Sequence, residues 1–276
     1  MSKETIHLER RDAVAILTMD RPLRRNAFND RMFEALERVT RELKEHLPRA
    51  IVITGGGDNA FCAGFDIHPD NPLVSGLIDA VEKKNQASAH KLIYDIRKIV
   101  DGFVSLPVPI IAAINGLAYG GGAELAVRCD LRVMDPNAVI CFSEVRLGLM
   151  PDWGGGAALA RLIGASRAAD VILTARQIQA GEAINFGLVN RICQSNCLEE
   201  AVALADMIAA NSPRAVSYTL ALIRQSRNLT FAQALDLEAE KAISLIGSGE
   251  YFYGVSAFLE KRKPEFPDFD PGIEET

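Results

Sequence analysis

A strand, a glycine turn and a helix follow one another without a break between residues 108 and 129, and this succession constrains the fold more than any other stretch. The apolar run 108–114 predicts a buried strand, and residues 123–129 predict a helix. The three consecutive glycines at 120–122 let a ligand approach bare backbone between these elements. The first N–H groups of the helix have no partner inside it, so they are free to bind negative charge.

Glu124 is the acid closest to this turn. It lies three residues after Gly121, about one helical turn, so its carboxylate is on the same side as that N–H. A carboxylate beside an anion-binding N–H group is a candidate for acid–base chemistry. Alternatively, the glycines allow close packing of helix on strand, and Glu124 is a first-turn acid favoured by the helix dipole. This stretch alone leaves both interpretations open.

Composition excludes some classes of function. The chain has 276 residues, of which 49% are hydrophobic, so it is long enough for a large core. Its net charge of −6 argues against a general nucleic-acid binder but leaves an anionic small ligand open, because Lys and Arg cluster locally. Five scattered cysteines without a Cys-x-x-Cys pattern indicate reduced thiols in a cytoplasmic protein. The histidines are not spaced as metal ligands and no apolar run has the length of a membrane span, so we expect neither a metal site nor a membrane partner.

The order of predicted elements indicates an α/β core. Residues 6–19 alternate apolar and polar side chains, as in a hairpin; a helix capped at Asn29 or Asp30 and a short buried strand at 50–54 follow. Hairpin, helix and strand in this order suggest an α/β fold. The prolines and asparagine around 69–72 predict a mobile loop. The further predicted elements are a helix at 87–104, strands at 131–134, 138–142 and 187–192, a loop at 143–153, and helices at 154–163, 166–174 and 180–186.

A shift in pattern near residues 194–196 predicts a boundary between two regions. Strands and helices alternate before it, whereas the periodicity after it is helical only. We therefore divide the chain into an α/β core, residues 1–196, and a C-terminal helical region, residues 197–276. The predicted helices of the second region are 198–211, 213–226, 230–246 and 251–261.

Two further acids are candidates for chemistry. Glu144 comes directly after a predicted buried strand, where α/β proteins usually place their sites, and Asp152 follows eight residues later. Asp152 precedes a helix that opens with glycines, so a helix-capping role is an alternative. Two carboxyls near one apolar pocket would raise the pKa of at least one of them, which gives one proton donor and one base. His68, just past Phe65, could contact a ligand or be an exposed loop residue.

Several motifs can be read together along the chain, and their order is specific. They are Arg21-Pro22 with Asn26-Ala27-Phe28, Ala60-Phe61-Cys62-Ala63-Gly64-Phe65-Asp66-Ile67, Asn115-Gly116 with Gly120-Gly121-Gly122-Ala123-Glu124-Leu125, Ser143-Glu144-Val145 with Leu147-Gly148, Gly181-Glu182-Ala183 with Gly187-Leu188-Val189, and Gly254-Val255-Ser256-Ala257-Phe258-Leu259-Glu260-Lys261-Arg262. Over residues 14–266 the chain resembles the enoyl-CoA hydratase/isomerase (crotonase) superfamily. The resemblance implies a crotonase-like spiral of repeated ββα turns with a C-terminal helical trimerisation region, assembled as a homotrimer or as a hexamer of two trimers.

The resemblance also implies a catalytic site. The backbone N–H groups of Phe65 and Gly121 would form an oxyanion hole that grips a thioester carbonyl, where preorganised donors stabilise enolate charge. Glu144 would deliver a proton to the α carbon, and Glu124 would hold and help to activate the water that adds at the β carbon. Coenzyme A is part of the acyl-CoA substrate, and the resemblance implies no other cofactor and no metal.

Contacts to the substrate are implied in the same way. Arg24 and Arg25 would flank the entry for the pantetheine or phosphate groups, and Phe258 and Lys261 would hold the adenine end. The remaining implied contacts to the acyl-CoA are Ala63, Asp66, Ile67, His68 and Trp153.

Two departures from the family pattern bear on the reaction. Many hydratases have Gly-Ala where this chain has Asp152-Trp153, and His68 replaces a Lys that is common after the Phe65 segment. An Asp at this place also resembles the dienoyl-CoA isomerases and the carnitinyl-CoA dehydratase type of hydratase. We predict an enoyl-CoA hydratase. The alternatives are an enoyl-CoA or dienoyl-CoA isomerase that uses Glu144 and Asp152, and a non-catalytic acyl-CoA-binding protein.

Overall fold

The computed structural model describes residues 5–84 and 86–269. The strands are β1 (Ile6–Arg11), β2 (Val14–Met19), β3 (Ala50–Gly55), β4 (Ala60–Cys62), β5 (Ile110–Ile114), β6 (Leu117–Tyr119), β7 (Leu131–Met134), β8 (Val139–Cys141), β9 (Ile178–Gln179) and β10 (Arg191–Ile192). The α-helices are α1 (Asp30–Glu45), α2 (Pro72–Glu82), α3 (Ala87–Val104), α4 (Gly121–Arg128), α5 (Gly155–Ile163), α6 (Ala165–Thr174), α7 (Ala180–Asn185), α8 (Cys197–Ala209), α9 (Pro213–Ser226), α10 (Phe231–Gly247) and α11 (Tyr251–Leu259). Short 3₁₀ helices cover Pro22–Arg24 and Glu144–Leu147.

The strands form two interlocked sheets. The larger has the order β1-β2-β3-β5-β7-β10, in which the β1–β2 hairpin is antiparallel and the other neighbours are parallel. The smaller has the order β4-β6-β8-β9, parallel except for the last pair. Because β3, β5 and β7 enter the larger sheet and the strands directly after them enter the smaller one, the chain coils as repeated ββα turns. The prediction of an α/β spiral is confirmed.

Both faces of the larger sheet are buried, which explains its continuous apolar runs. Alternate residues of β3 pack on opposite faces: Ile51 and Ile53 belong to one apolar cluster, and Ala50 and Val52 to the other. The first cluster contains side chains of α1, α3 and α4, and the second is covered by α8. The division of the chain at residues 196/197 stays a prediction.

Most of the long elements occur where the sequence predicts them. α1 begins after Asn29, whose side chain accepts a hydrogen bond from the Met32 N–H and caps the helix. α3 has the bounds that its apolar periodicity predicts, and α8–α11 occupy the region of purely helical pattern. None of the helices in the described part of the chain is long and apolar enough to cross a membrane.

The loop predicted from residue 69 onward is wrong, because α2 begins at Pro72. The Asn71 side chain accepts a hydrogen bond from the Leu73 N–H and caps this helix. A proline at the first helical position needs no donor, so a residue that breaks a helix interior can start a helix here. The sequence does not predict the short strands β6 and β9, since 3 and 2 residues are too few to show a periodicity.

Candidate active site

The loops that follow β4, β6 and β8 meet beside α2 and α3 and enclose a cavity of about 160 Å³. Its polar side chains are three acids and one serine, and the remaining lining side chains are apolar or aromatic. A mostly apolar cavity with a few convergent polar groups is typical of a small-molecule site. The site residues implied by the sequence that line it are Ala63, Phe65, Ile67, Gly121, Glu124, Glu144, Asp152 and Trp153.

The two segments that carry the implied oxyanion donors are in contact. A Cβ on Gly64 would lie 2.7 Å from the Gly121 nitrogen, so the chain before Phe65 runs directly against the start of α4. Phe28 forms a parallel bridge with Phe65. The Phe28 N–H donates to the Gly64 carbonyl at 2.7 Å, and its carbonyl accepts from the Asp66 N–H at 2.8 Å. The N–H of Phe65 therefore points away from Phe28. Gly121 is the first residue of α4, so its N–H has no partner within the helix.

Glu124 is buried in the first turn of α4, with 1% of its surface exposed. Its Oε1 accepts the Asp152 N–H at 3.1 Å, and its Oε2 accepts the N–H groups of Trp153 at 2.9 Å and Gly155 at 2.8 Å. The carboxylate therefore caps α5, whose own N-cap residue, Gly154, has no side chain that could do so. Gly155 is required at this contact, because a Cβ there would lie 2.4 Å from the Glu124 Cα.

Glu144 begins the 3₁₀ helix that follows β8 and is 9% exposed. Neither of its carboxyl oxygens has a hydrogen-bond partner among the described residues. A Cβ on Gly120 would lie 3.7 Å from its Oε1, so the carboxyl lies beside the glycine turn that opens α4. Gly120 has φ +51°, a conformation that glycine adopts readily. Burial raises the pKa of Glu144.

The two buried glutamates share one environment but differ in hydrogen bonding. Burial, together with the nearby charges of Glu144 and Asp152, raises the pKa of Glu124 to about 8, against the opposing effect of the N–H groups that it accepts. Carboxyls that interact in this way titrate as a pair. Three N–H donors favour the charged form of Glu124, whereas Glu144 lacks such donors in the described structure. The charge on one carboxyl opposes ionisation of the other, so the pair retains a proton to a higher pH than an isolated carboxyl does.

Asp152 and Trp153 occupy different parts of the site. Asp152 lines the cavity and is partly exposed, and partial burial raises the pKa of its carboxyl. It does not cap α5, since Glu124 accepts the N–H groups at that helix end. Trp153 is 3% exposed and packs edge-on against Phe28, with ring centroids 5.5 Å apart. A Cβ on Gly121 would lie 2.7 Å from the indole, so Trp153 covers the first residue of α4.

Three of the implied CoA contacts adjoin the cavity without lining it. The Arg25 carbonyl accepts the Ala63 N–H at 2.9 Å, which places Arg25 next to the cavity wall. Arg24 and His68 both contact the exposed carboxylate of Asp70, at 3.0 and 2.7 Å. Two basic residues and one histidine are thus gathered near one edge of the site.

The other implied contacts do not line the cavity. Asp66 is buried, and its carboxylate pairs with Arg21 at 2.9 Å and accepts the His68 N–H at 3.1 Å. It therefore holds its own loop and does not face the cavity. Phe258 lies on α11 with 82% of its surface exposed, and Lys261 follows that helix. Neither lines the cavity of its own chain.

The structure adds residues that the sequence does not single out. Arg128, the last residue of α4, donates to the Trp153 carbonyl at 2.7 Å and pairs with Asp101 of α3. An Arg at a helix C-terminus is explained equally well by the helix dipole, so this role has no signal in the sequence. The apolar wall has only the periodicity of ordinary core residues. Its added members are Leu77, Leu92, Ile93, Ile96, Leu147, Leu149 and Met150.

A coil of ββα repeats that brings two buried glutamates to the start of a glycine-initiated helix defines an acid–base site on a crotonase-type fold. Residues 9–269 match the family described as enoyl-CoA hydratase/isomerase, and the chain belongs to this family. The resemblance seen in the motifs is thereby confirmed.

Similarity to individual members extends over nearly the whole chain. The chain is 32% identical over 267 residues to the short-chain-enoyl-CoA hydratase of Clostridium acetobutylicum, and the alignment covers 96% of this chain and 98% of that protein. It is 33% identical over 268 residues to the crotonyl-CoA hydratase of Syntrophomonas wolfei, covering 96% and 99%. Among solved structures, an enoyl-CoA hydratase from Bacillus anthracis has a TM-score of 0.85 and 32% identity, over 95% of this chain and 98% of that one.

Proposed function

We propose that the protein is an enoyl-CoA hydratase that adds water, syn, across the double bond of a 2-enoyl-CoA thioester. The observation that carries the proposal is the unequal hydrogen bonding of two neighbouring acids: Glu124 accepts three N–H groups, and Glu144 none among the described residues. Glu124 is thereby suited to act as a base and Glu144 as an acid. Hydration needs one of each, at adjacent carbons. The similarity to proteins named as enoyl-CoA hydratases supports the same reaction.

In this proposal the thioester carbonyl binds in an oxyanion hole formed by the N–H groups of Phe65 and Gly121. Addition at the β carbon moves negative charge onto the carbonyl oxygen as an enolate. Donors already aimed at that oxygen stabilise the charge, and loss of one such donor typically costs about 10²–10³-fold in rate. The direct contact between the two segments and the free position of Gly121 at the start of α4 support this arrangement.

The proposed proton transfers give the two carboxyls different roles. Glu124, as the carboxylate, takes a proton from water while the water oxygen bonds to the β carbon. Glu144, as the acid, gives its proton to the α carbon as the enolate collapses. Because the two carboxyls are neighbours, hydroxyl and proton reach the same face of the double bond, which is syn addition. The site is restored when the proton on Glu124 passes to Glu144. Each such group contributes about 10²–10⁴-fold.

The lining of the cavity favours a short, uncharged acyl group. Its volume is about 160 Å³, and among the described residues its ionisable side chains are the three carboxyls. An anionic acyl group would be repelled by them. Coenzyme A enters as part of the substrate, and the proposed reaction needs no further cofactor and no metal. Its phosphates would bind along the edge formed by Arg24, Arg25 and His68.

We also propose a cytoplasmic homotrimer, or a hexamer of two trimers, built through the C-terminal helices. α10 has no buried residue, and α11 buries only Ala257 within the described chain. Apolar surface of this extent is typical of an interface. In such an assembly Phe258 and Lys261 are available to the CoA adenine at a neighbouring subunit's site. The exposed apolar side chains of these helices include Phe231, Leu235, Ile243, Ile246, Phe252, Phe258 and Leu259.

Glu144→Gln tests the hydratase assignment. The amide cannot donate the proton that the α carbon needs, so hydration of crotonyl-CoA falls by about 10²–10⁴-fold. The assay follows the loss of conjugated enoyl absorbance, and titration calorimetry with butyryl-CoA shows retained binding. Glu37→Gln, at an exposed position of α1, is the matched control and keeps full activity. Undiminished hydration by Glu144→Gln would rule the assignment out.

A second candidate is an enoyl-CoA or dienoyl-CoA isomerase in which Glu144 and Asp152 move a proton along the acyl chain. It is favoured by the carboxyl of Asp152, which lines the same cavity and has a raised pKa. Incubation in D₂O with a 3,5-dienoyl-CoA separates the reactions, since isomerisation incorporates deuterium into the chain without adding water. An isomerase loses this activity in Asp152→Asn, whereas a hydratase keeps its turnover of crotonyl-CoA. A chain that turns over no member of an acyl-CoA panel would be a binding protein.

A further inference from the structure

We propose that Arg128 is a positioning residue which, anchored by Asp101, clamps the loop segment 152–155 so that its N–H groups stay aimed at the carboxyl of Glu124, the proposed base. The inference rests on the proposed function, because it assigns Glu124 the role of base in hydration. Arg128 itself touches neither water nor acyl group in this scheme. It acts through the loop whose N–H groups donate hydrogen bonds to Glu124.

Two side chains of one helix hold the same residue of this loop. Glu124 and Arg128 are four residues apart on α4, so they lie on one face of the helix. The Trp153 N–H donates to Glu124 Oε2 at 2.9 Å, and the Trp153 carbonyl accepts from Arg128 Nη1 at 2.7 Å. The backbone of Trp153 is therefore gripped at both its donor and its acceptor. A shift of the loop along α4 breaks both bonds together.

The guanidinium is itself fixed in place. Its Nη2 pairs with Asp101 Oδ1 of α3 at 2.5 Å, and the Arg128 side chain is only 17% exposed. A planar fork can satisfy a carboxylate and a carbonyl at once, which a single amine does less well. Gly154, with φ +91°, lies against this fork: a Cβ there would be 3.3 Å from the guanidinium carbon. The clamp thus joins α3, α4 and the start of α5 at one point.

The ionisation of Glu124 depends on the loop N–H groups that the clamp holds in place. The charged groups that reach its carboxyl from other elements are Glu144 and Asp152, and both oppose its ionisation, as does burial. The N–H groups of the loop act in the opposite direction. If the loop loosens, Glu124 keeps its proton to a higher pH. The acid limb of the pH profile of kcat/KM reports this ionisation in the free enzyme.

Arg128→Gln tests the clamp through that limb. We expect the acid limb to move up by about 1 pH unit, and kcat/KM on that limb to fall about tenfold, because a charge-assisted hydrogen bond is weakened. Arg128→Lys keeps the charge and one donor and returns the limb part of the way. The matched control is Arg97→Gln, since Arg97 lies 3.4 Å from the same Asp101 on the exposed side of α3. Its limb stays at the wild-type position.

A titration that needs no turnover separates this inference from the proposed function. The ¹³C resonances of labelled glutamate carboxyls are followed against pH in the ligand-free protein, with Glu124 assigned from Glu124→Gln. Glu124 titrates at higher pH in Arg128→Gln than in wild type, whether or not any acyl-CoA is hydrated. Coinciding titrations, or an equal shift in Arg97→Gln, would overturn the clamp. Asp101→Asn, which removes only the anchor, gives a smaller shift in the same direction and serves if Arg128→Gln does not fold by circular dichroism.

Discussion

At the scale of single residues, Glu144 stands apart from the other buried polar side chains of residues 5–84 and 86–269, since its oxygens are the ones that lack a partner. The buried amide of Asn26, by contrast, donates to two backbone carbonyls, and buried Arg132 donates to several. An unpaired buried carboxyl disfavours its charged form and destabilises the fold when it ionises. Groups of this kind persist mainly at functional sites, where the proton they retain is used.

The raised pKa of Glu144 predicts how stability depends on pH. Above the ordinary carboxyl pKa of 4.5 the unfolded chain has released this proton while the native state still binds it. The contribution of Glu144 to the free energy of unfolding of the wild type therefore falls as pH rises above that value, and a glutamine at this position does not titrate. We expect the stability of Glu144→Gln relative to wild type to increase between about pH 5 and about pH 8. Urea denaturation at both pH values measures this, and a difference independent of pH would contradict it.

At the scale of elements, α4 and α5 approach each other closely where Glu124 caps α5. Gly155 permits the approach, because any Cβ there would enter the Glu124 backbone and side chain. The sequence shows glycines at both helix starts, but it cannot show that an acid of one helix serves the other as its cap. That contact spans 31 residues in the chain and depends on the coil bringing successive turns together. Local signals, such as the Asn29 cap of α1, are visible in advance because donor and acceptor lie within one turn.

Two glycine substitutions separate close packing from helix propensity. Gly155→Ala places a Cβ 2.4 Å from Glu124 atoms, so we expect a loss of about 1–3 kcal/mol in the free energy of unfolding. Gly102→Ala, in α3, meets nothing within 4 Å and should gain about 0.5–1 kcal/mol, because alanine restricts the unfolded chain and favours helix. Urea denaturation of both variants checks the signs. An equal effect of the two changes would argue against a packing role for Gly155.

At the scale of the whole molecule, the sequence predicts the architecture better than it predicts which elements contribute side chains to the site. The apolar strands and long helices are readable because both faces of a buried sheet and one face of a helix carry periodic patterns. The motifs also identify Glu124 and Glu144 before any coordinates. The cavity wall from α2 and α3 is not foreseeable in this way, since Pro72 reads as a break and the Leu92 face reads as ordinary core. Which apolar residues face a cavity is decided by how the coils stack.

The exposed apolar surface of α10 and α11 predicts that the chain does not remain a monomer. Sedimentation at low micromolar concentration should give a particle at least three times the chain mass of 30.0 kDa. Replacing Phe258, 82% exposed, by Asp should shift the population toward smaller species by burying a charge in the interface. The control is Glu37→Gln on α1, which should leave the mass unchanged. A wild type that sediments at the chain mass would contradict the proposed assembly.

The smaller sheet also bears on the spacing of the two proposed oxyanion donors. Neighbouring strands of any sheet lie about 4.8 Å apart, and β4 and β6 are neighbours. Phe65 and Gly121 follow those two strands within a few residues, so the proposed pair of donors starts from that spacing. Two nitrogens separated by this much can share one oxygen at about 2.9 Å from each. In the proposed site, the gap between the two donors therefore derives from the pairing of two backbone strands and from no side chain that contacts the thioester.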